Sequence, residues 1–395
     1  MTAMPPTAAP NSRSPFARLA ERLDGIAPGR PVINLSVGEP QHPVPDFVGP
    51  VLAENLADFG RYPQIRGTDT FRGAVAGWLA RRYGAELDPA RDVVALGGSR
   101  EGLFLAAFTA TRRRHVENPA ILVPNPYYQA YGAGAWGAGA ELVPLDATAE
   151  TGFLPDLEAL EPALLARTVA FYLASPSNPQ GAVADLDYLV HALALARRHD
   201  FMLFLDECYS EIYADAPPPG GLEAARALGG LDGIVVFNSL SKRSSLPGLR
   251  IGFAAGDPDF LDAYAQLRNV GGPQVPLPTQ AVAVAAYADE AHVEANRALY
   301  RTKFAVAEQI LGGRFGYRRP AGGFFLWLDV SREGGGEAAA TRLWREAGVR
   351  VLPGAYLTTA SASGRNPGAA YIRVALVADV ETTAEALRRV VEVLT

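Results

Sequence analysis

The stretch NSLSKRSSLPGLRIGF, Asn238 to Phe253, decides how this chain is read. It places Lys242 among hydroxyls and turn residues, with Arg250 eight positions further on. On either side lie apolar runs of strand character, GIVVF (Gly233 to Phe237) and IGFAAG (Ile251 to Gly256). A lysine at the end of an apolar strand is well placed to form a Schiff base with a carbonyl-bearing cofactor, while a nearby cation binds a phosphate. Alone, the stretch reads equally as a solvated turn, so its meaning depends on its surroundings.

Outward from it, short apolar runs alternate with helical ones. VVALGGSREGLFLAAF (Val93 to Phe108) reads as a strand, then small residues, then a helix. Such a junction aims free backbone N–H groups at an anion, although Ser99 could simply cap the helix. The junction itself is neither GxGxxG nor GxxxxGK[ST]. Strands follow at Ala120–Asn125, Ala140–Leu145, Val169–Ser175 and Phe201–Glu207. Helices separate them: one after Tyr127, then Leu154–Leu165 and Asp185–His199. The pattern predicts an α/β fold with a mostly parallel sheet covered on both faces and ligands bound at the carboxyl ends of its strands. Ser99, Asn178, Asp206 and Lys242 all fall at such ends.

A Gly/Pro-rich break at Val270–Gln280 leads to a helical region, Ala281 to about Leu311, interrupted near Asp289. The rest reads as a smaller α+β domain with strands Gly323–Val330 and Tyr371–Val377 and a final helix from Thr382. The expected division is 1–45 as N-terminal arm and part of the small domain, 46–285 as the large domain and 286–395 as the small domain. Within it, residues 1–14 form a loosely held arm. The loops Pro10–Arg18, Val270–Pro278 and Tyr356–Gly368 are expected to face substrate.

Composition narrows the classes. A net charge of −6 without a basic block argues against a nucleic-acid partner. Charges or prolines interrupt every apolar run before about 18 residues, so no membrane span is expected. The first residues lack an apolar core of signal-peptide length. Cys208 is the single cysteine, which excludes an intrachain disulfide and points to a reducing, cytoplasmic setting. The five histidines form no ligand-spaced cluster, so no metal is expected.

Pyridoxal phosphate would need a covalent lysine, a carboxylate at its ring nitrogen, donors to its ring oxygen, an aromatic on its face and a phosphate cup. Asp206 closes the apolar run FMLFLD, where a carboxylate needs a cation or strong hydrogen bonds. Tyr209 and Asn178 (in SPSNPQG) are the candidate donors to the ring oxygen, and Tyr128 is the stacking ring. Ser99, Ser239, Ser241 and Arg250, with the N–H groups around Gly98 and Arg100, would form the cup. Lys242 would also serve as general base and acid. Arg373 interrupts the apolar strand YIRVALV and suits a substrate carboxylate. Each residue has a plainer role open to it: Asp206 as a helix cap, SNPQG as a turn, Tyr128 as core and Arg373 as an edge-strand cation.

Taken together, these motifs resemble the fold-type I, class I/II aminotransferases over roughly Pro15 to Val390. The likeness rests on S-x-S-K followed by G-x-R (Ser239, Ser241, Lys242, Gly248, Arg250), DECY (Asp206, Tyr209), SNPQG (Asn178), Tyr128 and Arg373. It implies pyridoxal 5′-phosphate as cofactor, and places Gly38 of LSVGEP beside the substrate carboxylate. It also implies a homodimer whose Tyr62 reaches the phosphate in the neighbouring subunit's site. LSVGEPQHPVPDFV, LVPNPYYQAYGAGA and FNSLSKRSSLPGLRIGFAAGD are most similar to N-succinyl-LL-diaminopimelate aminotransferases of lysine biosynthesis, which exchange an amino group with glutamate. Such a polyanionic substrate needs a locally cationic pocket, to which Arg373 and also Arg243 or Arg100 could contribute, with no residue assigned to its distal carboxylate. Aspartate, alanine or aromatic aminotransferases, and a cofactor-sharing β-lyase, are the alternatives.

Overall fold

The computed structural model describes residues 13–360 and 364–395, so the arm expected over 1–14 lies almost wholly outside the described residues. Its strands are β1 (Ile33–Asn34), β2 (Val93–Leu96), β3 (Ala120–Asn125), β4 (Glu141–Asp146), β5 (Thr168–Ala174) and β6 (Met202–Asp206). They continue with β7 (Ile234–Ser239), β8 (Gly252–Gly256), β9 (Phe325–Asp329), β10 (Val349–Arg350), β11 (Leu352–Pro353) and β12 (Tyr371–Ala375). The large sheet has the order β2-β8-β7-β6-β5-β3-β4. Every neighbouring pair is parallel except those made by β8, which runs antiparallel to both β2 and β7.

Alternate residues of each buried strand feed two cores. Leu203, Leu205, Ile234 and Val236 pack on one face beneath helices that include Leu186–Arg198 and Leu277–Ala288. Phe204, Val235 and Phe237 pack on the other beneath Ser99–Arg113 and Pro258–Gly271. With both faces covered, the strands can be apolar throughout, as their sequences are.

A second, smaller domain is built on the antiparallel sheet β11-β12-β9. Tyr300, Phe304, Ala307 and Leu311 of the helix Ala291–Leu311 enter its core, whereas Ala286 and Tyr287 of the preceding helix remain in the large one. The chain therefore crosses between cores at Asp289–Glu290, where the helical region was expected to break. Leu35 also sits in the smaller core, and β1 pairs in parallel with β10.

One expected element is shorter and starts later. The helix read over Leu154–Leu165 is a single short helix, Pro162–Arg167. Phe153 has a φ of 63°, Pro155 follows closely and Pro162 starts a helix rather than continuing one, so the chain before it stays irregular.

Candidate active site

The carboxyl ends of β2, β3, β5, β6 and β7 open into one cavity of about 510 Å³ that also takes its walls from the smaller domain. Lys242 reaches it from the one-turn helix Leu240–Arg243 after β7. Its Nζ donates to the Gly38 carbonyl at 2.7 Å and lies 5.4 Å from the Phe324 ring centroid. Burial, with Arg373 nearby, brings its pKa down to about 8. An added Cβ at Gly38 would lie 2.4 Å from Phe325 Cζ, so glycine keeps this carbonyl within reach of the amine.

Asp206, the last residue of β6, is 9% exposed. The Tyr131 hydroxyl donates to its Oδ2 at 2.8 Å, and the Cys208 backbone N–H to its Oδ1 at 3.2 Å. Burial raises its pKa, while these hydrogen bonds pull it back. It is not a helix cap: its carboxylate serves a local turn on one side and lines the cavity on the other.

Opposite it, Gly98 is the N-cap of the helix Ser99–Arg113 and no side chain caps that end. Ser99 lies inside the helix, and its Oγ accepts from Cys208 Sγ at 3.1 Å. Arg250 lies across the same end, donating to the carbonyls of Pro247 at 2.7 Å and Gly97 at 3.3 Å. Gly98 has a φ of 92°, and a Cβ there would stand 2.3 Å from Arg250 Nη2. Close approach and backbone conformation both require glycine. Ser239 Oγ accepts from the Ser241 N–H at 3.1 Å beside them. Free helix N–H groups, three hydroxyls and a guanidinium are a donor set for a phosphate.

Arg373 on β12 is 3% exposed. It donates to Asn178 Oδ1 at 3.0 Å and to the Ser36 carbonyl at 2.7 Å, while its Nε has no partner. The Phe325 ring centroid is 4.4 Å from its guanidinium carbon. Among the described residues no carboxylate pairs with it, and burial lowers its pKa to about 10. A buried cation with one orphaned donor at the edge of a cavity is suited to an anionic ligand. Tyr209 packs against Phe324 and Phe325, and Tyr128 accepts from Arg100 Nε at 2.6 Å.

Of the residues singled out from sequence, Gly38, Ser99, Arg100, Tyr128, Asn178, Asp206, Tyr209, Ser239, Ser241, Lys242, Arg250 and Arg373 all line this cavity. Gly98 stands behind Arg250, and Tyr62, 96% exposed, lies outside. Arg243 does not face the site. It is 1% exposed, ion-paired with Glu290 at 2.6 Å and hydrogen-bonded to the Ala286 carbonyl, because successive residues of a helix point about 100° apart. Sequence alone does not single out Tyr131 within NPYYQAY, Ser36 two residues before Gly38 in LSVGEP, or Phe325. It also missed Phe153 and Leu154, which line the mouth instead of forming a helix. Among the described residues no cluster of His, Cys, Asp and Glu is placed to hold a metal, and no helix is long and apolar enough to cross a membrane.

The model of the family "Aminotransferase class I and II" matches residues 30–394. The chain belongs to the class I and II aminotransferases. An aminotransferase structure from Neisseria meningitidis superposes with a TM-score of 0.91 at 38% identity, covering 97% of this chain and 98% of that one. LL-diaminopimelate aminotransferase from Moorella thermoacetica is 32% identical over 387 residues, 96% of this chain and 95% of its own. The 4-dedimethylamino-4-oxo-anhydrotetracycline transaminase OxyQ of Streptomyces rimosus is 34% identical over 375 residues, 94% and 95% of the two chains. Family membership implies pyridoxal phosphate, and the uncapped helix end, the buried Asp206 carboxylate and the Lys242 amine fit its phosphate, ring nitrogen and aldehyde respectively.

Proposed function

We propose that this aminotransferase holds pyridoxal 5′-phosphate on Lys242 and transfers the amino group of N-succinyl-LL-2,6-diaminopimelate to 2-oxoglutarate. The observation that carries the chemistry is a single cavity presenting an amine of lowered pKa, a buried carboxylate and a buried arginine without a carboxylate partner. A diaminopimelate-type substrate is supported by the LL-diaminopimelate aminotransferases among the relatives, whose names carry no succinyl group. The succinylated form is supported by the likeness to a probable N-succinyldiaminopimelate aminotransferase of Thermus thermophilus, 27% identical. The cavity mouth, walled by Phe16, Phe153, Leu154 and Leu357, gives room for a long side chain.

Bound pyridoxal phosphate supplies an aldehyde for the amine to condense with and a ring that withdraws electrons from the substrate Cα. Ser99, Ser239, Ser241, Arg250 and the N–H groups near Gly98 and Arg100 would hold its phosphate, and Asp206 would hold its ring nitrogen protonated. Asn178 and Tyr209 would donate to its ring oxygen, and Tyr128 would cover its face. Arg373, oriented by Asn178 and the Ser36 carbonyl, clamps the substrate α-carboxylate beside Gly38. With the group bound, Lys242 Nζ would take the Cα proton as general base and give it up again as general acid within the same half-reaction; a pKa near 8 suits both roles at neutral pH. The protein works as a homodimer in which the exposed Tyr62 completes the neighbouring subunit's phosphate site.

The test is a donor screen. The purified protein with pyridoxal phosphate and 2-oxoglutarate is offered N-succinyl-LL-diaminopimelate, LL-diaminopimelate, aspartate, alanine and aromatic amino acids, and glutamate formation is followed. The highest kcat/KM is expected for the succinylated donor. A higher value for any other donor overturns that substrate, and ammonia release without glutamate overturns transamination in favour of a lyase.

A further inference from the structure

The chain contains only two lysines, Lys242 and Lys303, against 34 arginines. Lys303, on the helix Ala291–Leu311 of the smaller domain, is 1% exposed and makes no ion pair among the described residues. Its ammonium has three acceptors: His42 Nε2 at 2.7 Å, the Leu376 carbonyl at 3.2 Å and the Val377 carbonyl at 3.3 Å. A compact ammonium with three donors satisfies such a set, where a planar guanidinium could not.

From there the hydrogen bonds run to the active-site lysine. His42 Nδ1 is 2.6 Å from Asn296 Oδ1, and Asn296 Nδ2 lies 3.1 Å from each of the Lys242 and Arg243 carbonyls. Chemistry assigns every direction. The two carbonyls can only accept, so the Asn296 amide nitrogen faces them and its oxygen faces His42. His42 must then donate from Nδ1, which leaves Nε2 free to accept from Lys303.

The two carbonyls end the one-turn helix that presents Lys242, and such terminal carbonyls have no partner within the helix. Asn296 is 8% exposed and its single amide group holds both. The network also touches the far wall of the site. Leu376 and Val377 directly follow β12, which carries Arg373, and His42 lies four residues after Gly38, whose carbonyl receives Lys242 Nζ.

We propose that Asn296 is a positioning residue for Lys242, oriented by His42 and Lys303, and that this relay fixes the amine relative to the strand bearing Arg373. The inference rests on the Proposed function reading of Lys242. Asn296 touches neither substrate nor cofactor; it sets where the helix under the amine sits, and a displacement of an ångström is enough to lower turnover.

The test compares the unsubstituted protein with Asn296→Asp, which keeps the shape and removes both donors, and with the pair His42→Asn and His42→Leu. An amide nitrogen can stand where Nδ1 does; leucine cannot donate. Four quantities are read: kcat, KM for the amino donor, the pH midpoint of the visible absorbance of protein-bound pyridoxal phosphate, and the urea midpoint. Asn296→Asp is expected to lower kcat at least about tenfold, leave KM within about threefold and move the absorbance midpoint. His42→Asn, which keeps the donor to Asn296 but loses the acceptor of Lys303, is expected to lower kcat clearly less than His42→Leu, and His42→Leu to follow Asn296→Asp. Should Asn296→Asp not fold, the histidine pair decides. A shifted urea midpoint with unchanged kcat and absorbance, or equal behaviour of the two histidine variants, overturns the proposal. Failure of the unsubstituted protein to bind pyridoxal phosphate overturns the parent reading as well, which separates the two failures.

Discussion

Arg268 and Arg373 are both almost wholly buried, at 0% and 3% exposure, yet their surroundings differ in kind. Arg268 is finished. It pairs with Glu101 at 2.7 Å and donates to the carbonyls of Ala95 and Pro273 at 2.7 and 3.1 Å, tying the start of the Ser99 helix to the helix Pro258–Gly271. Arg373 has one amide oxygen and one carbonyl, and its Nε faces no acceptor. Burial of charge is costly unless a counter-charge and hydrogen bonds offset it. In the first case the counter-charge is part of the chain; in the second it is left to a ligand. The same chemistry therefore stabilises the fold at one site and, on the proposed function, would bind substrate at the other.

The contrast breaks if both arginines respond alike to removal. The largest expected effect is on stability: Arg268→Met strands Glu101 and should lower unfolding free energy by about 3–5 kcal/mol in urea titration, with KM for the amino donor changed less than about threefold. Arg373→Met should do the reverse. KM rises about 100-fold, about 2.7 kcal/mol, while the urea midpoint stays level or rises because an unmatched charge has been removed. A smaller effect sharpens the picture: Asn178→Ala removes the one side-chain acceptor that orients Arg373, and kcat/KM should fall about tenfold.

The smallest concerns Lys242, the cation at this site with the lower pKa. Its folded pKa, about 8, lies below the ordinary lysine value of 10.5, so between these two pH values the unfolded chain binds more protons than the folded one. The folded state without cofactor should therefore gain stability as pH rises from about 8 to about 10. The gain, measured against Lys242→Met, should be at most about 1 kcal/mol per pH unit. A decline over that range would contradict the lowered pKa.

Much of this was legible in the chain. Ala120–Asn125 and the end of β6 at Asp206 could be read because strands buried on both faces are continuously apolar and stop at a polar or small residue. Lys242 and Asp206 were found because each is a charge placed where an apolar run ends. What could not be read depends on contacts between distant segments. Asn296 meets Lys242 across 54 positions and His42 across 254, and nothing in VEANRALY marks the asparagine. Arg243 looked available because sequence gives adjacency but not the rotation of a single helical turn. The Leu154–Leu165 segment has helical composition, but the left-handed conformation at Phe153 and the prolines at 155 and 162 overrule it.

The central claim is that one of two lysines carries the cofactor, and a trapping experiment tests it directly. The purified protein is incubated with pyridoxal phosphate, reduced with borohydride, digested and examined by mass spectrometry. The account predicts a single modified peptide, labelled at Lys242, and none in Lys242→Ala. No modified peptide in the parental protein, or a label on Lys303 instead, would contradict it.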